Sequence, residues 1–267
     1  YLFARAIPAG DNWSRRAVRN RDANLARLRS PAGYDRGYKL RVSDLNRLLK
    51  LAAPEHNLTL ADYRDPRLTP VRSADLLAAA ECWAANPFMP FLAERLDALI
   101  EARQPRVVGL SVNYLSQALT AFALAGLLRQ RWPQVRLVMG GGLITSWCSR
   151  AGFANPFGGL IDELVAGPGE QRLLELAGLS GPQDGYAPCY AGLPLDDYLA
   201  PGVILPYSAS RGCYWSRCAF CPERAENQGY AACPAARVVA ELKTLVARHQ
   251  PRLIHFTDNA LSPRLLR

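Results

Sequence analysis

The sequence lacks several features that would assign it directly to a class of proteins, such as membrane spans, a signal peptide and repeats. No apolar run is long enough to cross a membrane, and no hydrophobic signal-peptide core is present, so we expect a cytoplasmic protein without a membrane partner. Short repeats and low-complexity tracts are absent as well. An initiator Met is also missing, the first residues ("YLFARAIP") have the pattern of a strand, and the last ("LSPRLLR") have that of a helix start. We therefore expect a fragment of a longer protein.

Lysine is scarce, with 3 Lys against 29 Arg in a chain of net charge +9. The basic residues are scattered as singles and pairs, which indicates an arginine-rich composition rather than a nucleic-acid surface. We expect no nucleic-acid partner. The 267 residues are 49% hydrophobic and 21% charged, which is typical of one large or two ordinary globular domains.

The seven cysteines do not form a disulfide framework, because they are odd in number and crowd toward the C-terminal side. This distribution favours metal or redox chemistry. They are Cys82, Cys148, Cys189, Cys213, Cys218, Cys221 and Cys233.

Short apolar runs alternate with helical patterns from residue 41 onward, which predicts a parallel α/β architecture. Ser43 and Ser116 are candidate helix caps, and residues 57–63 are a candidate strand. The clearest unit has strands at 105–112 and 135–142 on either side of a helix.

A third strand, "GLIDELVAG" at 159–167, leads into a helix that starts near Glu170. The carboxyl ends of parallel strands meet at one edge of a sheet, so this half predicts a ligand crevice there. Its candidate residues are Ser111, Asn113, Gly140, Gly141, Gly142, Gly167 and Glu170.

A stretch rich in Gly, Pro and Asp divides the chain. We predict an α/β domain over 1–178, a linker over 179–201, and a second unit over 202–267. The second unit has a strand ("GVILPYSAS"), a cysteine-rich loop, a helix at 234–250 and another strand at 252–258. This order predicts the opening of a βα barrel or a second parallel sheet.

The cysteine-rich loop, "SRGCYWSRCAFCPE" at 210–223, places Cys213, Cys218 and Cys221 within nine residues. Three thiolates at this spacing can hold three irons of an iron-sulfur cluster or three corners of a zinc site. Cys233 is a candidate fourth zinc ligand, since the three histidines lie away from the loop. Spacing alone leaves both metals open.

This loop, between an apolar strand and a helix, resembles the cluster-binding loop of radical S-adenosylmethionine enzymes. The resemblance implies that Cys213, Cys218 and Cys221 hold a 4Fe-4S cluster whose open iron binds S-adenosylmethionine, with Phe220 near the adenine. Most members have three residues between the first two cysteines, whereas this chain has four. The later "FTDN" is similar to the end of the second barrel strand in cobalamin-containing members, which implies that Asp258 helps to bind the amino group of S-adenosylmethionine, with Asn259 beside it in the same cofactor site.

The N-terminal half resembles the cobalamin-binding domain of the same superfamily. Ser111, Gly140 and Gly141 match its serine and double-glycine positions, "GPGE" ending at Glu170 matches its closing motif, and Asn113 replaces the usual leucine. The resemblance implies a Rossmann-like (flavodoxin-like) domain followed by the first βα units of a partial TIM-type barrel. The cobalt-ligating Asp-x-His-x-x-Gly stretch is absent from the sequence. An alternative is a scaffold whose glycines serve only close packing.

The implied activity is radical chemistry with the cluster, S-adenosylmethionine and cobalamin, and methylation of an unactivated carbon is the leading expectation. Maturation of a peptide natural product and ring rearrangement without cobalamin are alternatives. The expected partners are a small-molecule or peptide substrate and a reductant such as flavodoxin or ferredoxin. A hypothesis of another class is a zinc-stabilised α/β binding module without catalysis.

Overall fold

The structure is a computed structural model that describes residues 1–4, 7, 9–34, 37–181, 187–221, 229–263 and 265. Its contacts divide the chain into two compact units. Unit 1 comprises Tyr1–Ser14 and Asn46–Gly181, and unit 2 comprises Arg15–Leu45 and Pro182–Arg267.

Helices account for most of the regular structure in the described residues. They are α1 (Asn12–Arg19), α2 (Arg21–Leu28), α3 (Tyr38–Ala52), α4 (Ser73–Glu81), α5 (Met89–Arg103), α6 (Leu115–Arg131), α7 (Gly142–Cys148), α8 (Glu170–Leu176) and α9 (Ala235–His249). None is long and apolar enough to cross a membrane.

The strands are short and pair in four small sheets. They are β1 (Asn57–Leu58), β2 (Tyr63–Arg64), β3 (Val107–Ser111), β4 (Arg136–Gly140), β5 (Glu163–Leu164), β6 (Ile204–Tyr207), β7 (Ser210–Arg211), β8 (Ala231–Ala232) and β9 (Leu253–Phe256).

Several local predictions near the N-terminus are wrong. Leu2–Ala4 form a 3-10 turn where a strand was expected. Ser43 lies inside α3 rather than at its start, because the helix already begins at Tyr38. The residue before it, Gly37, has a positive φ of 100°, which is not a helical conformation. The strand expected at 57–63 is the antiparallel hairpin β1–β2. The Thr59 hydroxyl accepts the Asp62 N–H at 2.9 Å and turns the chain between them.

The core of unit 1 is a parallel sheet of order β3-β4-β5 with α6 packed against it. Ser111 lies opposite Gly140 in the register, as the strand predictions require. The expected cap at Ser116 is wrong, since α6 begins at Leu115 and the Gln117 side chain accepts the N–H groups of Asn113 and Tyr114. Gln117 is the third residue of the helix, and its side chain satisfies two N–H groups that lie just before the first turn, as the glutamine of a capping box does.

Ion pairs of Glu163 connect the third strand of this sheet, β5, to its neighbours. Arg172 donates two hydrogen bonds to Glu163, at 2.6 and 2.8 Å, and Arg136 donates a third at 2.8 Å. The bonds from Arg172 lower the pKa of the Glu163 carboxyl from its ordinary value. Because Arg172 lies on α8 and Arg136 on β4, this carboxylate connects β5 to the elements on both sides.

Unit 2 contains a β-α-β unit in which β6 and β9 pair in parallel and α9 lies between them in sequence. Its buried core includes Leu205, Tyr207, Val238 and Leu245. Pro206 lies within β6, and its carbonyl accepts the hydroxyl of Tyr190.

The described residues therefore form an α/β protein with small parallel sheets, and no closed barrel is present among them. This agrees with the α/β class expected from the sequence. The finer assignment to a Rossmann-like domain and a partial barrel remains a prediction.

Candidate functional site

The cysteine-rich loop follows directly from the first strand of unit 2. After β6 the chain forms β7, which pairs antiparallel with β8 and so fixes Ser210 opposite Ala232. The loop then leaves through Gly212, whose positive φ of 66° sets the turn. It therefore begins beside the carboxyl end of the parallel pair β6–β9, which is where ligands bind in α/β sheets.

The three loop cysteines are free and partly exposed. The Cys221 N–H donates to the Cys218 carbonyl at 3.2 Å, which makes a local turn between these two residues. Across the parts of the chain that the structure describes, no three His, Cys, Asp or Glu side chains converge to hold a metal ion. The thiols thus have the right chemistry for iron or zinc, but the structure does not bring Cys213, Cys218 and Cys221 together.

Cys233, the candidate fourth zinc ligand, has a structural environment of its own. It is partly buried against the hydrophobic core of unit 2, and its N–H donates to the Ala209 carbonyl at 2.8 Å. The residue therefore anchors the segment that returns from the loop.

Aromatic residues are neighbours of the loop cysteines in the sequence. Phe220 is 91% exposed, so it contributes almost nothing to the core and its face is open to a ligand. Tyr214 meets Tyr230 edge to face with ring centroids 5.8 Å apart. The Arg217 guanidinium lies 5.4 Å from the centre of the Trp215 ring, which is within the range of a cation–π contact.

The end of β9 lies at the same sheet edge. Asp258 accepts the Ala209 N–H at 2.9 Å through Oδ2 and the Ser210 hydroxyl through Oδ1. Its neighbour Asn259 is exposed. The structure therefore brings Asp258 to the start of the cysteine loop.

A polar cluster lies beside the same strand. The buried Tyr207 hydroxyl donates to Glu241 at 2.8 Å, and Arg237 donates to the other oxygen of that carboxylate at 2.7 Å. Burial, and then the neighbouring carboxylate, raise the pKa of Tyr207. Burial acts to raise the pKa of Glu241, but the hydrogen bonds from Arg237 and Tyr207 outweigh it and the net change is downward. The cluster holds α9 against β6.

In unit 1 the predicted crevice residues come together at the strand ends. The Asn113 amide oxygen accepts the Gly142 N–H at 3.0 Å, and its amide nitrogen donates to the Ser111 hydroxyl at 3.4 Å. Gly142 is the first residue of α7, a helix that the sequence analysis did not predict. Asn113 thus links the ends of β3 and β4.

Thr145 is a further residue of this edge, and the sequence analysis missed it. Its buried hydroxyl accepts the Gly167 N–H at 2.9 Å and donates to the Gly141 carbonyl at 3.0 Å. The signal was the spacing in "GGGLIT", which places Thr145 one helical turn after Gly141. Glu170, by contrast, is exposed at the start of α8.

The glycines of this edge differ in what requires them. Gly141 has a φ of +104°, and a Cβ there would lie 2.5 Å from the Val112 carbonyl oxygen, so the fold itself excludes a side chain. A Cβ at Gly140 would lie 3.4 Å from the Val165 carbonyl oxygen, which is a tight contact. A Cβ at Gly142 would make only an ordinary contact, at 3.8 Å from Asn113 Oδ1. Close backbone packing therefore accounts for Gly141, whereas a side chain at Gly142 would fit without a clash.

No protein-family model, curated protein or solved structure matches the chain.

Proposed function

We propose that the chain is part of a radical S-adenosylmethionine enzyme whose 4Fe-4S cluster is held by Cys213, Cys218 and Cys221. One observation carries the proposal: three free, partly exposed thiols occupy one loop directly after the first strand of a parallel β-α-β unit. Thiolates are the ligands of such clusters, and three of them leave one iron open to a further ligand.

The loop has to change shape to hold a cluster, because its sulfur atoms do not converge in the described structure. Gly212 and Ser216 both have positive φ, at 66° and 42°, so the backbone on either side of Cys213 already departs from strand geometry. We expect residues 212–221 to rearrange when iron binds, while β7 stays paired with β8.

When bound and reduced by one electron from a donor such as flavodoxin or ferredoxin, the cluster would cleave S-adenosylmethionine to methionine and a 5′-deoxyadenosyl radical that takes a hydrogen atom from substrate. The chain's own residues would bind and orient the cosubstrate. The exposed Phe220 ring would be able to stack on the adenine. The exposed Asn259, which follows β9 in the chain, would be able to accept a hydrogen bond from the amino group through its amide oxygen.

Anaerobic reconstitution with iron and sulfide tests this proposal. The wild-type chain is expected to take up about four iron atoms and the visible absorption of the cluster. Changing Cys213, Cys218 or Cys221 to Ala is expected to abolish both, because each removes one ligand. Cys189→Ala is the matched control, since Cys189 is also free and lies outside the loop.

Two outcomes would contradict the proposal. A colourless protein with one zinc per chain would instead support the zinc-stabilised module. Loss of metal on changing Cys233 as well would indicate a closed four-thiolate site without an open position.

The strand-end crevice of unit 1 is proposed to bind cobalamin, which would supply the methyl group for methylation of an unactivated carbon in a small-molecule or peptide substrate. Ser111 and Asn113 support this, because both present exposed polar side chains at the carboxyl end of β3. Gly142 supports it as well, because a Cβ there would meet no backbone at clashing distance. Incubation of the same reconstituted sample with hydroxocobalamin followed by desalting tests the assignment, and absence of retained corrin would contradict it.

A further inference from the structure

The carboxylate of Asp258 is engaged inside unit 2 on both of its oxygens. One accepts the backbone N–H of Ala209 at 2.9 Å, and the other accepts the hydroxyl of Ser210. Ala209 is fully buried and Ser210 is 8% exposed. Hydrogen bonds to an ionised carboxylate are stronger than those between neutral groups, and the buried position of both donors limits competition from water.

These bonds extend the pairing of β6 and β9 beyond the last backbone bond between the two segments. That bond joins the Thr257 N–H to the Tyr207 carbonyl at 2.9 Å. One residue after Thr257, beyond the end of β9, Asp258 continues the connection with its side chain, while the partner segment is already turning into β7. The carboxylate therefore replaces the backbone ladder where the two segments separate.

Ala209 is held from both sides as a result. Its N–H is bonded to Asp258, and its carbonyl accepts the Cys233 N–H at 2.8 Å. The next two residues, Ser210 and Arg211, form β7 and pair with β8. The position at which the chain enters the cysteine loop is thus fixed from three directions, and Asp258 supplies the only charged group among these contacts within the described residues.

We propose that Asp258 is a positioning residue that fixes the start of the cysteine loop through Ala209 and Ser210, in place of binding S-adenosylmethionine. This clamp is a property of the folded chain and needs no metal. Its role in cluster binding rests on the proposed function. In that role, the Asp258 contacts would keep Cys213 in place while the rest of the loop rearranges around the iron.

Hydrogen exchange of the protein without added metal tests the clamp. In Asp258→Ala, amides in peptides covering Ala209 and Cys233 are expected to exchange about tenfold faster, since a part-buried, charge-assisted contact is lost. Asp258→Asn keeps one acceptor and is expected to fall between Asp258→Ala and wild type. Ser210→Ala is expected to accelerate the same peptides, because it removes the second contact from the other side.

Ser208→Ala is the matched control. Its hydroxyl forms a hydrogen bond with the Thr257 hydroxyl across the same two segments at 2.7 Å, but Ser208 is exposed, and the Asp258 carboxylate accepts from Ala209 and Ser210 instead. We expect its exchange to stay within about twofold of wild type, since exposed hydrogen bonds contribute little to local stability. If Asp258→Ala does not fold, Ser210→Ala decides alone.

The alternative role gives a different pattern. If Asp258 binds the amino group, Asp258→Ala would weaken S-adenosylmethionine binding to the iron-loaded protein, whereas Ser210→Ala would leave both binding and exchange as in wild type. That pattern, or wild-type exchange in both variants, would overturn the clamp. Failure of the wild-type chain to take up iron would count against the proposed function only, because the exchange comparison uses protein without metal.

Discussion

Replacing Gly141 with Ala tests whether the glycines at the end of β4 serve the fold or leave space for a ligand. Gly141 has φ and ψ of 104° and 172°, a region that is open essentially to glycine alone. An added Cβ would lie 2.5 Å from the Val112 carbonyl oxygen and 2.8 Å from two further backbone atoms of that residue. None of these atoms can move by a simple side-chain rotation.

The cost has two parts. Holding alanine in this backbone conformation costs about 1–3 kcal/mol. The overlap with β3 adds about 1–3 kcal/mol, as for other overpacked sites. The free energy of unfolding of unit 1 should therefore fall by roughly 2–6 kcal/mol, which corresponds to a drop of about 4–24 °C in its melting temperature for a unit of this size.

Thermal unfolding followed by circular dichroism measures the effect, with Gly142→Ala as the control. Gly142 is the adjacent residue and has no positive φ, and its Cβ would come no closer than 3.8 Å to Asn113 Oδ1. Because Gly142 is the first residue of α7, Gly142→Ala should leave the free energy of unfolding unchanged or raise it by up to about 1 kcal/mol through helix propensity. Equal melting temperatures for the two variants would refute the reasoning and would return Gly141 to the set of residues retained for a ligand.

Two further predictions concern contacts that hold the third strand region of unit 1. Thr145→Val should lower the free energy of unfolding by about 1–3 kcal/mol in denaturant titration, because it leaves the Gly167 N–H without its acceptor, whereas Thr145→Ser should stay close to wild type. Glu163→Gln should lower stability at neutral pH by about 1 kcal/mol, since it removes the carboxylate that Arg172 and Arg136 bind. The pKa of Glu163 is lowered in the folded chain, so its contribution is present above the unfolded-state value of about 4.3 and disappears as the pH falls through the folded value. Melting curves of wild type and Glu163→Gln that stay equally far apart at pH 7 and pH 3 would contradict this account.

The sequence predicted the strands β3 and β4 well, because short apolar runs that alternate with helical patterns leave few alternatives. Residues 105–112 and 135–142 contain β3 and β4, and the helix expected at 234–250 is α9. The hairpin β1–β2 was missed because its turn depends on one hydroxyl, that of Thr59, inside a segment that otherwise alternates like a single strand.

Contacts between side chains far apart in sequence were beyond prediction from pattern. The residues at the end of β3 and β4 were expected at one edge, but the links through Asn113 and Thr145 depend on the position of α7, which has no strong periodic signal in seven residues. In the same way, Asp258 was recognised as a polar residue at a strand end, whereas its bonds to Ala209 and Ser210 follow only from the pairing of β6 with β9.

Pro206 makes the two edges of the β6–β9 sheet in unit 2 differ in their hydrogen-bonding groups. The Tyr207 carbonyl faces β9, so the alternating residue Pro206 faces the opposite edge of β6. Proline has no N–H to donate there, and its carbonyl is already bonded to Tyr190. A further strand beside β6 would therefore lack the hydrogen bonds at Pro206, whereas the strand residues of β9 (Leu253–Phe256) include no proline.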